Sequence, residues 1–237
     1  SRTMKIYAHR GASHDFPEMT ALAYENAVKQ GADGFECDLR LTKDGVAILW
    51  HDADLKRRAD SDAVVAETKF KKLKAIYPQI LNLDEFIDFA INEKKSLLIE
   101  TKHPVPSRTE IEEVIVKKLR NESARIKKAA IDVNVMSFSW FAIEKVKALN
   151  KEIATTYLLH DYTPWFTARF SSAQSIGPGI NLLRKNPALA QRIKNTGRKL
   201  NVWTVNEAAD ITLCHHLGVD NLITNRPAYA REVLRNV

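Results

Sequence analysis

Glu36 and Asp38 stand two apart in the run Gly34–Leu39, which reads as a strand, so both carboxylates leave the same face. Two acids held side by side on a buried face repel. Burying them uncompensated costs roughly several kcal/mol or forces one to keep its proton, and a bound cation is the natural compensation. Cys37, between them, faces the opposite way and reads as packing between strand and helices. Glu100 and Lys102 repeat the spacing at the end of a second apolar run, Ser96–Lys102, with opposite signs. They form either an internal ion pair or a third metal ligand beside a phosphate contact. Three carboxylates without neighbouring thiolates favour one hard divalent cation, Mg²⁺ or Ca²⁺, over structural zinc.

His9-Arg10-Gly11 closes the first apolar run, Lys5–His9. Arg10 offers a planar fork of donors matched to phosphate oxygens, and Gly11 permits a sharp exit from the strand. Downstream, Lys43-Asp44-Gly45 is a tight-turn signal between the second run and Val46–Trp50. The resulting hairpin extension would bring His51 and Asp52 back over the end from which Glu36 and Asp38 emerge.

These side chains need a frame with one common mouth. Further strand-like runs lie at Ile131–Met136, Ile153–Leu159, Ser175–Ile180, Leu200–Val205 and Asn221–Thr224, making eight with the first three. Amphipathic stretches alternate with them: Ala21–Gln30, Leu83–Asn92, Arg108–Arg120, Phe141–Leu149, Pro187–Asn195, Glu207–Leu217 and Pro227–Leu234. Ser107 with Glu110 suggests a capping box, Pro187 and Pro227 suit first turns, and Gly31, Gly197 and Gly218 suit helix ends. Eight strand-then-helix units predict an α/β protein, a single (β/α)₈ TIM barrel with a small hairpin extension after the second strand. An open doubly wound sheet is the alternative, although no Gly-rich phosphate loop follows any strand.

No linker divides the 237 residues, so one barrel domain over 1–237 is expected. Hydrophobic residues make up 45% and charged residues 27%, which excludes fibrous and disordered classes. The net charge of +7 and pI near 9.3 favour anionic partners without choosing among them. The basic run Lys69–Lys74, with Phe70 and Leu73 interleaved, fits an amphipathic helix with a solvated face. Cys37 and Cys214 are too few for a disulfide framework, and no apolar run reaches membrane-spanning length, so a cytoplasmic location is the default. Ser1-Arg2-Thr3 before Met4 suits an expression remnant.

Other features carry less. Cys214-His215-His216 diverge around a helix and cannot easily chelate one ion. His14, His103 and His160 read as polar loop histidines. No nucleophile elbow appears and neither cysteine has an activating histidine beside it, so an acyl-enzyme is unsupported. Tyr162-Thr163-Pro164-Trp165-Phe166, with Phe170, reads first as a helix packed on the barrel and second as a substrate-pocket or membrane-contact element.

The chain resembles the glycerophosphodiester phosphodiesterase family. The likeness rests on His9-Arg10-Gly11-Ala12, Pro17-Glu18-Met19-Thr20, Gly31 through Asp38, Thr42 through Gly45, His51-Asp52, Ile99 through Lys102, Ser137-Phe138-Ser139, Trp203 through Asn206 and Gly218 through Pro227, in the family's order and spacing. It implies His9 and His51 as an acid/base pair, Glu36, Asp38 and Glu100 as metal ligands, and Arg10 and Lys102 as phosphate contacts. Trp203 would pack against substrate glycerol or against the core. The implied reaction is metal-dependent hydrolysis of glycerophosphodiesters, small molecules of lipid and glycerol metabolism, to glycerol 3-phosphate and an alcohol. A lysophospholipid-cleaving, phospholipase D-like enzyme on the same barrel is the nearest alternative, and a non-catalytic phosphate-binding module the more distant one. No nucleic acid or stable membrane insertion is implied. One departure stands out: Met19 occupies the place of the family's usual Asn, whose hydrogen bonds it cannot reproduce.

Overall fold

The structure, a computed structural model, describes residues 3–237. Ser1 and Arg2 lie outside it, and with them most of the expected expression remnant. Short β-branched and aromatic runs bounded by turn residues form nine strands. They are β1 (Lys5–His9), β2 (Gly34–Leu41), β3 (Ala47–Leu49), β4 (Ser96–Thr101), β5 (Val133–Ser137), β6 (Ala154–Leu159), β7 (Ser175–Pro178), β8 (Lys199–Val202) and β9 (Asn221–Thr224).

The sheet runs in the order β1-β9-β8-β7-β6-β5-β4-β2-β3, and a further β1–β2 pairing closes it. Eight strands are parallel and form the barrel, while β3 pairs antiparallel on the outer edge of β2. The expected (β/α)₈ barrel with its hairpin extension is therefore the fold. Alternation along the strands sends Ala8, Phe35, Cys37, Leu97 and Ile99 outward into a core under the helices. Inward, Tyr7, Leu98, Met136, Leu158 and Ile223 form an apolar layer. Towards the N-terminal ends of the strands a hydrogen-bonded chain runs from Asn221 to Asn201 (2.7 Å), Asn201 to Thr156 (2.9 Å) and Thr156 to Asn134 (2.7 Å), which satisfies polar side chains inside the barrel wall.

Helix punctuation follows the sequence in most places. Asn82 and Glu85 cap Leu83–Glu93 reciprocally, Pro227 opens Pro227–Arg235, and Gly31, Gly197 and Gly218 adopt φ of 78°, 80° and 70°. The basic run forms the helix Phe70–Ile76 with Leu73 buried. The expected Ser107–Glu110 capping box does not form. Arg108 turns the chain at φ 54°, the helix starts only at Glu110, and Ser107 contributes its carbonyl to the Glu110 amide. Ile180, expected to end a strand, instead opens the helix Ile180–Lys185, because Pro178-Gly179 terminates the β7 ladder.

The β2–β3 hairpin is tight. Leu39 faces Leu49 and Leu41 faces Ala47, with Gly45 at φ 78° in the turn. It carries its own small core of Ile48, Trp50, Leu55, Val65, Leu73 and Ile80.

Gly34 opens β2 where Tyr7 crosses the barrel, and a β-carbon there would lie 2.5 Å from both the Ser96 carbonyl oxygen and the Tyr7 ring. Gly34→Ala is expected to lower stability by roughly 1–3 kcal/mol, as overpacking does. Urea denaturation followed by circular dichroism checks this, and a midpoint equal to the parent's contradicts it.

Candidate active site

Strand register determines which side chains meet. In the parallel pairing His9 lies beside Glu36, and Asp38 beside Glu100, so four ionisable groups from β1, β2 and β4 rise at the same C-terminal mouth. Carboxylate oxygens of Glu36, Asp38 and Glu100 all lie within 4.8 Å of one another, and all three residues are buried. Arg10 and Lys102 offset part of this charge. Arg10 Nε approaches Asp38 Oδ2 at 3.1 Å, and Lys102 Nζ donates to Glu100 Oε2 at 3.0 Å. The Lys102–Glu100 ion pair and the acid cluster thus coexist. Neither Arg10 Nε nor Asp38 Oδ2 makes an aligned hydrogen bond, so a buried anionic oxygen is left short of a donor.

Protonation follows from this crowding. Burial, then the Asp38 charge, pushes Glu100 up to about 7, and the same two causes raise Glu36 well above the carboxylate range. Burial works against ionising Asp38 too, but Arg10 and Lys102 hold its carboxyl below the ordinary value. Three carboxylates that cannot comfortably ionise together, one already charged, form a donor set suited to a hard divalent cation.

Both histidines are oriented through Nδ1. His9 Nδ1 lies 2.6 Å from the Asn225 side-chain oxygen, and His51 Nδ1 lies 2.7 Å from an Asp52 carboxylate oxygen. These oxygens accept, so each Nδ1 carries the hydrogen and each Nε2 is left with a bare lone pair. Burial, followed by Arg10, lowers His9 to about 4, so it stays neutral at pH 7. Burial also lowers His51, with Asp52 pulling the other way. His51 reaches the mouth because the hairpin returns the chain, the Trp50 amide donating to the Asp38 carbonyl at 3.0 Å.

A carboxylate–guanidinium chain links the loop after β1 to the segment after the hairpin. Arg57 donates to both Glu18 oxygens (2.8 and 2.9 Å) and to Asp52 (2.9 Å), while Glu18 also faces Arg10 at 3.3 Å. Pro17-Glu18-Met19-Thr20 was visible as a motif, but the pairing with Arg57 crosses 39 residues and had no local signal. Met19 sits buried at φ 54°, a conformation Asn tolerates better, and its sulfur accepts from the Asp38 amide at 3.4 Å. A weak acceptor therefore remains where Asn was expected.

His9, Arg10, Glu36, His51, Glu100 and Lys102 line a cavity of about 380 Å³ together with His103, Phe138, His160 and Trp203. Trp203 donates from its indole nitrogen to the Gly177 carbonyl at 2.8 Å and meets Phe138 edge-on at 5.4 Å, so it is anchored in the barrel and also lines the site. Two histidines read as loop residues are more than that. His103 pairs with the fully buried Glu112 at 3.0 Å, and His160 stacks on Phe138 at 4.1 Å. His14 is exposed; Cys214 is buried, and His215 and His216 are exposed beside it. A larger cleft of about 920 Å³ at the opposite end of the barrel contains none of the acid cluster or the oriented histidines.

The sequence model of the Glycerophosphoryl diester phosphodiesterase family matches residues 9–229. A glycerophosphodiester phosphodiesterase of Bacillus subtilis is 30% identical over 244 residues, covering 93% of this chain and 83% of that protein. A probable glycerophosphodiester phosphodiesterase 1 of Mycobacterium tuberculosis is 29% identical, covering 98% and 92%. Among solved structures, an Oleispira antarctica phosphodiesterase in complex with the product sn-glycerol-3-phosphate superposes with a TM-score of 0.84 at 24% identity, covering 98% of this chain and 96% of that one. A glycerophosphodiester phosphodiesterase of Thermotoga maritima superposes at 0.83 and 21% identity, covering 98% and 99%. At these identities the superpositions carry the fold.

Because a protonated carboxyl does not ligate, a divalent cation held by this cluster would have to displace the proton that Glu100 holds below about pH 7. Added Mg²⁺ is therefore expected to raise the thermal midpoint at about pH 8 and to do so progressively less as the pH falls through 7. Differential scanning fluorimetry checks this; a shift equal at about pH 8 and about pH 5.5 contradicts it.

Proposed function

We propose, for a chain that belongs to the glycerophosphoryl diester phosphodiesterase family and is a phosphoric diester hydrolase, the hydrolysis of glycerophosphodiesters to glycerol 3-phosphate and an alcohol, with the whole barrel acting as one catalytic domain. One observation carries the reading: a buried three-carboxylate cluster presents Glu36 and Glu100 to a cavity that it shares with two imidazoles, each held through Nδ1.

A phosphodiester monoanion repels nucleophiles and has a poor alkoxide leaving group. Glu36, Asp38 and Glu100 would hold Mg²⁺ or Ca²⁺, and the under-bonded Asp38 oxygen supports that fit. When bound, such an ion supplies positive charge against the phosphoryl oxygens. Arg10 and Lys102 add fixed positive charge at the same mouth.

His9, held neutral by burial, suits the base that takes a proton from the attacking hydroxyl at Nε2. That hydroxyl is water, or the neighbouring glycerol hydroxyl, in which case the alcohol leaves a cyclic phosphate that water opens to glycerol 3-phosphate in a second step with the two rings exchanging roles. His51 suits the acid that protonates the departing alkoxide once its Nε2 has taken up a second proton, because the Asp52 carboxylate on Nδ1 stabilises the resulting imidazolium. Asn225 and Asp52 keep the two rings in the required tautomers, and Arg57 holds Asp52 in place. Trp203 and Phe138 offer an apolar wall to the carbon skeleton of the substrate.

His9→Ala and His51→Ala are each expected to reduce kcat by about 10²–10⁴ while leaving the circular dichroism spectrum unchanged. Chelation by EDTA is expected to abolish release of glycerol 3-phosphate from glycerophosphocholine, and Mg²⁺ or Ca²⁺ to restore it. Turnover within a few-fold of the parent in either variant would remove that histidine from the chemistry. Absence of turnover on every glycerophosphodiester with every divalent ion would leave a phosphate-binding module.

A further inference from the structure

Six large hydrophobic side chains are exposed among the described residues, and four of them are aromatic rings: Tyr162 (81%), Phe166 (64%) and Phe170 (70%) in one stretch, and Phe141 (75%) after the preceding strand. They are not frayed ends. Trp165–Arg169 forms a short helix whose Trp165 and Ala168 pack inward, which leaves Phe166 and Phe170, four apart, on the outer side. The helix Trp140–Leu149 repeats the arrangement, Trp140 packing against the core and Phe141 pointing out. Both helices begin just beyond the C-terminal ends of adjacent strands, β5 and β6, so Phe141 and Phe166 stand on the rim of the catalytic mouth.

The patch is continuous with the cavity. Phe138, at its wall, stacks on His160 (4.1 Å, 13°), and His160 stacks on Tyr162 (5.0 Å, 10°), giving a ladder of parallel rings that runs from the site to the surface. Burial and the nearby Lys102 charge keep the His160 ring below its ordinary pKa, consistent with an uncharged rung. The segment is also stiff, since Arg198 donates to the carbonyls of Ala168, Arg169, Ser171 and Ala173 at its back. Cations border it: Arg169 lies 5.5 Å from the Phe170 ring and Arg192 lies 4.4 Å from the Trp165 ring, on a chain of net charge +7. Asp161 is the one carboxylate within the Tyr162–Phe170 stretch and its immediate flank.

We infer that this aromatic rim docks the barrel on an anionic lipid–water interface, from which the ring ladder receives phosphodiesters whose apolar part stays in the lipid. Exposed rings flanked by guanidinium groups match the interface in both polarity and charge. A solute-sized glycerophosphodiester needs only the inner cavity, whereas a lysophospholipid-type substrate needs a path along its wall to the outside. The substrate half of the inference rests on the phosphodiesterase reading above; the docking half does not.

The test is co-sedimentation of the full chain with vesicles of phosphatidylcholine, with and without phosphatidylglycerol, at low and high salt, for the parent protein and the double variant F166S/F170S. The parent is expected to bind the phosphatidylglycerol vesicles and to lose binding as salt rises. The variant is expected to bind about tenfold more weakly or worse. Both substituted rings are exposed, so the variant should fold, and its turnover of glycerophosphocholine should stay within about twofold of the parent while turnover of micellar lysophosphatidylcholine falls. No parent binding, or equal binding by parent and variant, overturns the docking. A parent dimer that becomes monomeric in the variant, without vesicle binding, would assign the patch to a second copy and overturns it equally. Vesicle binding needs no turnover, so failure of the phosphodiesterase reading would appear separately, as inactivity on every diester with docking intact.

Discussion

Three carboxylates forced together in a buried mouth are the constraint around which the rest of this structure is arranged. Glu36, Asp38 and Glu100 meet because parallel register sets Asp38 against Glu100 and because side chains two apart on β2 share a face. Burial, and then the Asp38 charge, raises Glu36 and Glu100, while Arg10 and Lys102 beside Asp38 keep it charged against its own burial. Replacing either basic residue by an apolar one would leave a buried anion uncompensated, which costs more than the pair contributes when intact. The barrel supplies what such a cluster needs: rigid strands, a closed apolar layer beneath, and loops free to bring in the remaining groups.

Those remaining groups arrive by different routes. Asn225 follows β9 and holds His9 from the strand next to β1, whereas Asp52 holds His51 from the hairpin. Arg57 and Glu18 tie the hairpin side to the β1 loop, so the two imidazoles are not independent. Removing one link of a charged chain of this kind disturbs every neighbour whose partner it was.

The barrel, its hairpin and the acid cluster were legible because each rests on local periodicity: period-2 spacing for Glu36/Asp38 and Glu100/Lys102, and a tight-turn signal at Asp44-Gly45. Short helices such as Ser123–Ala129 and Ile180–Lys185 were not, since six or seven residues carry little amphipathic signal. The Ser107 capping box failed because Arg108 adopts a left-handed conformation that no pattern in the sequence announces. His103 and His160 looked like loop residues because their partners, Glu112 and Phe138, come from other elements. The aromatic stretch after β6 looked like a helix packed on the barrel. It is one on the side of Trp165 and Ala168 only, and composition cannot say which side of a single turn faces water.

His51 stands on a unit with a core of its own, built from Ile48, Trp50, Leu55, Val65, Leu73 and Ile80 and separate from the two large clusters that wrap the barrel. So small a core has a lower opening free energy than the barrel around it. Transient opening of that unit would carry His51 away from the mouth while the acid cluster stayed assembled, so amides of this segment would exchange with solvent well before those of β2 and β4. Heat would then silence the enzyme at temperatures where most of its secondary structure persists.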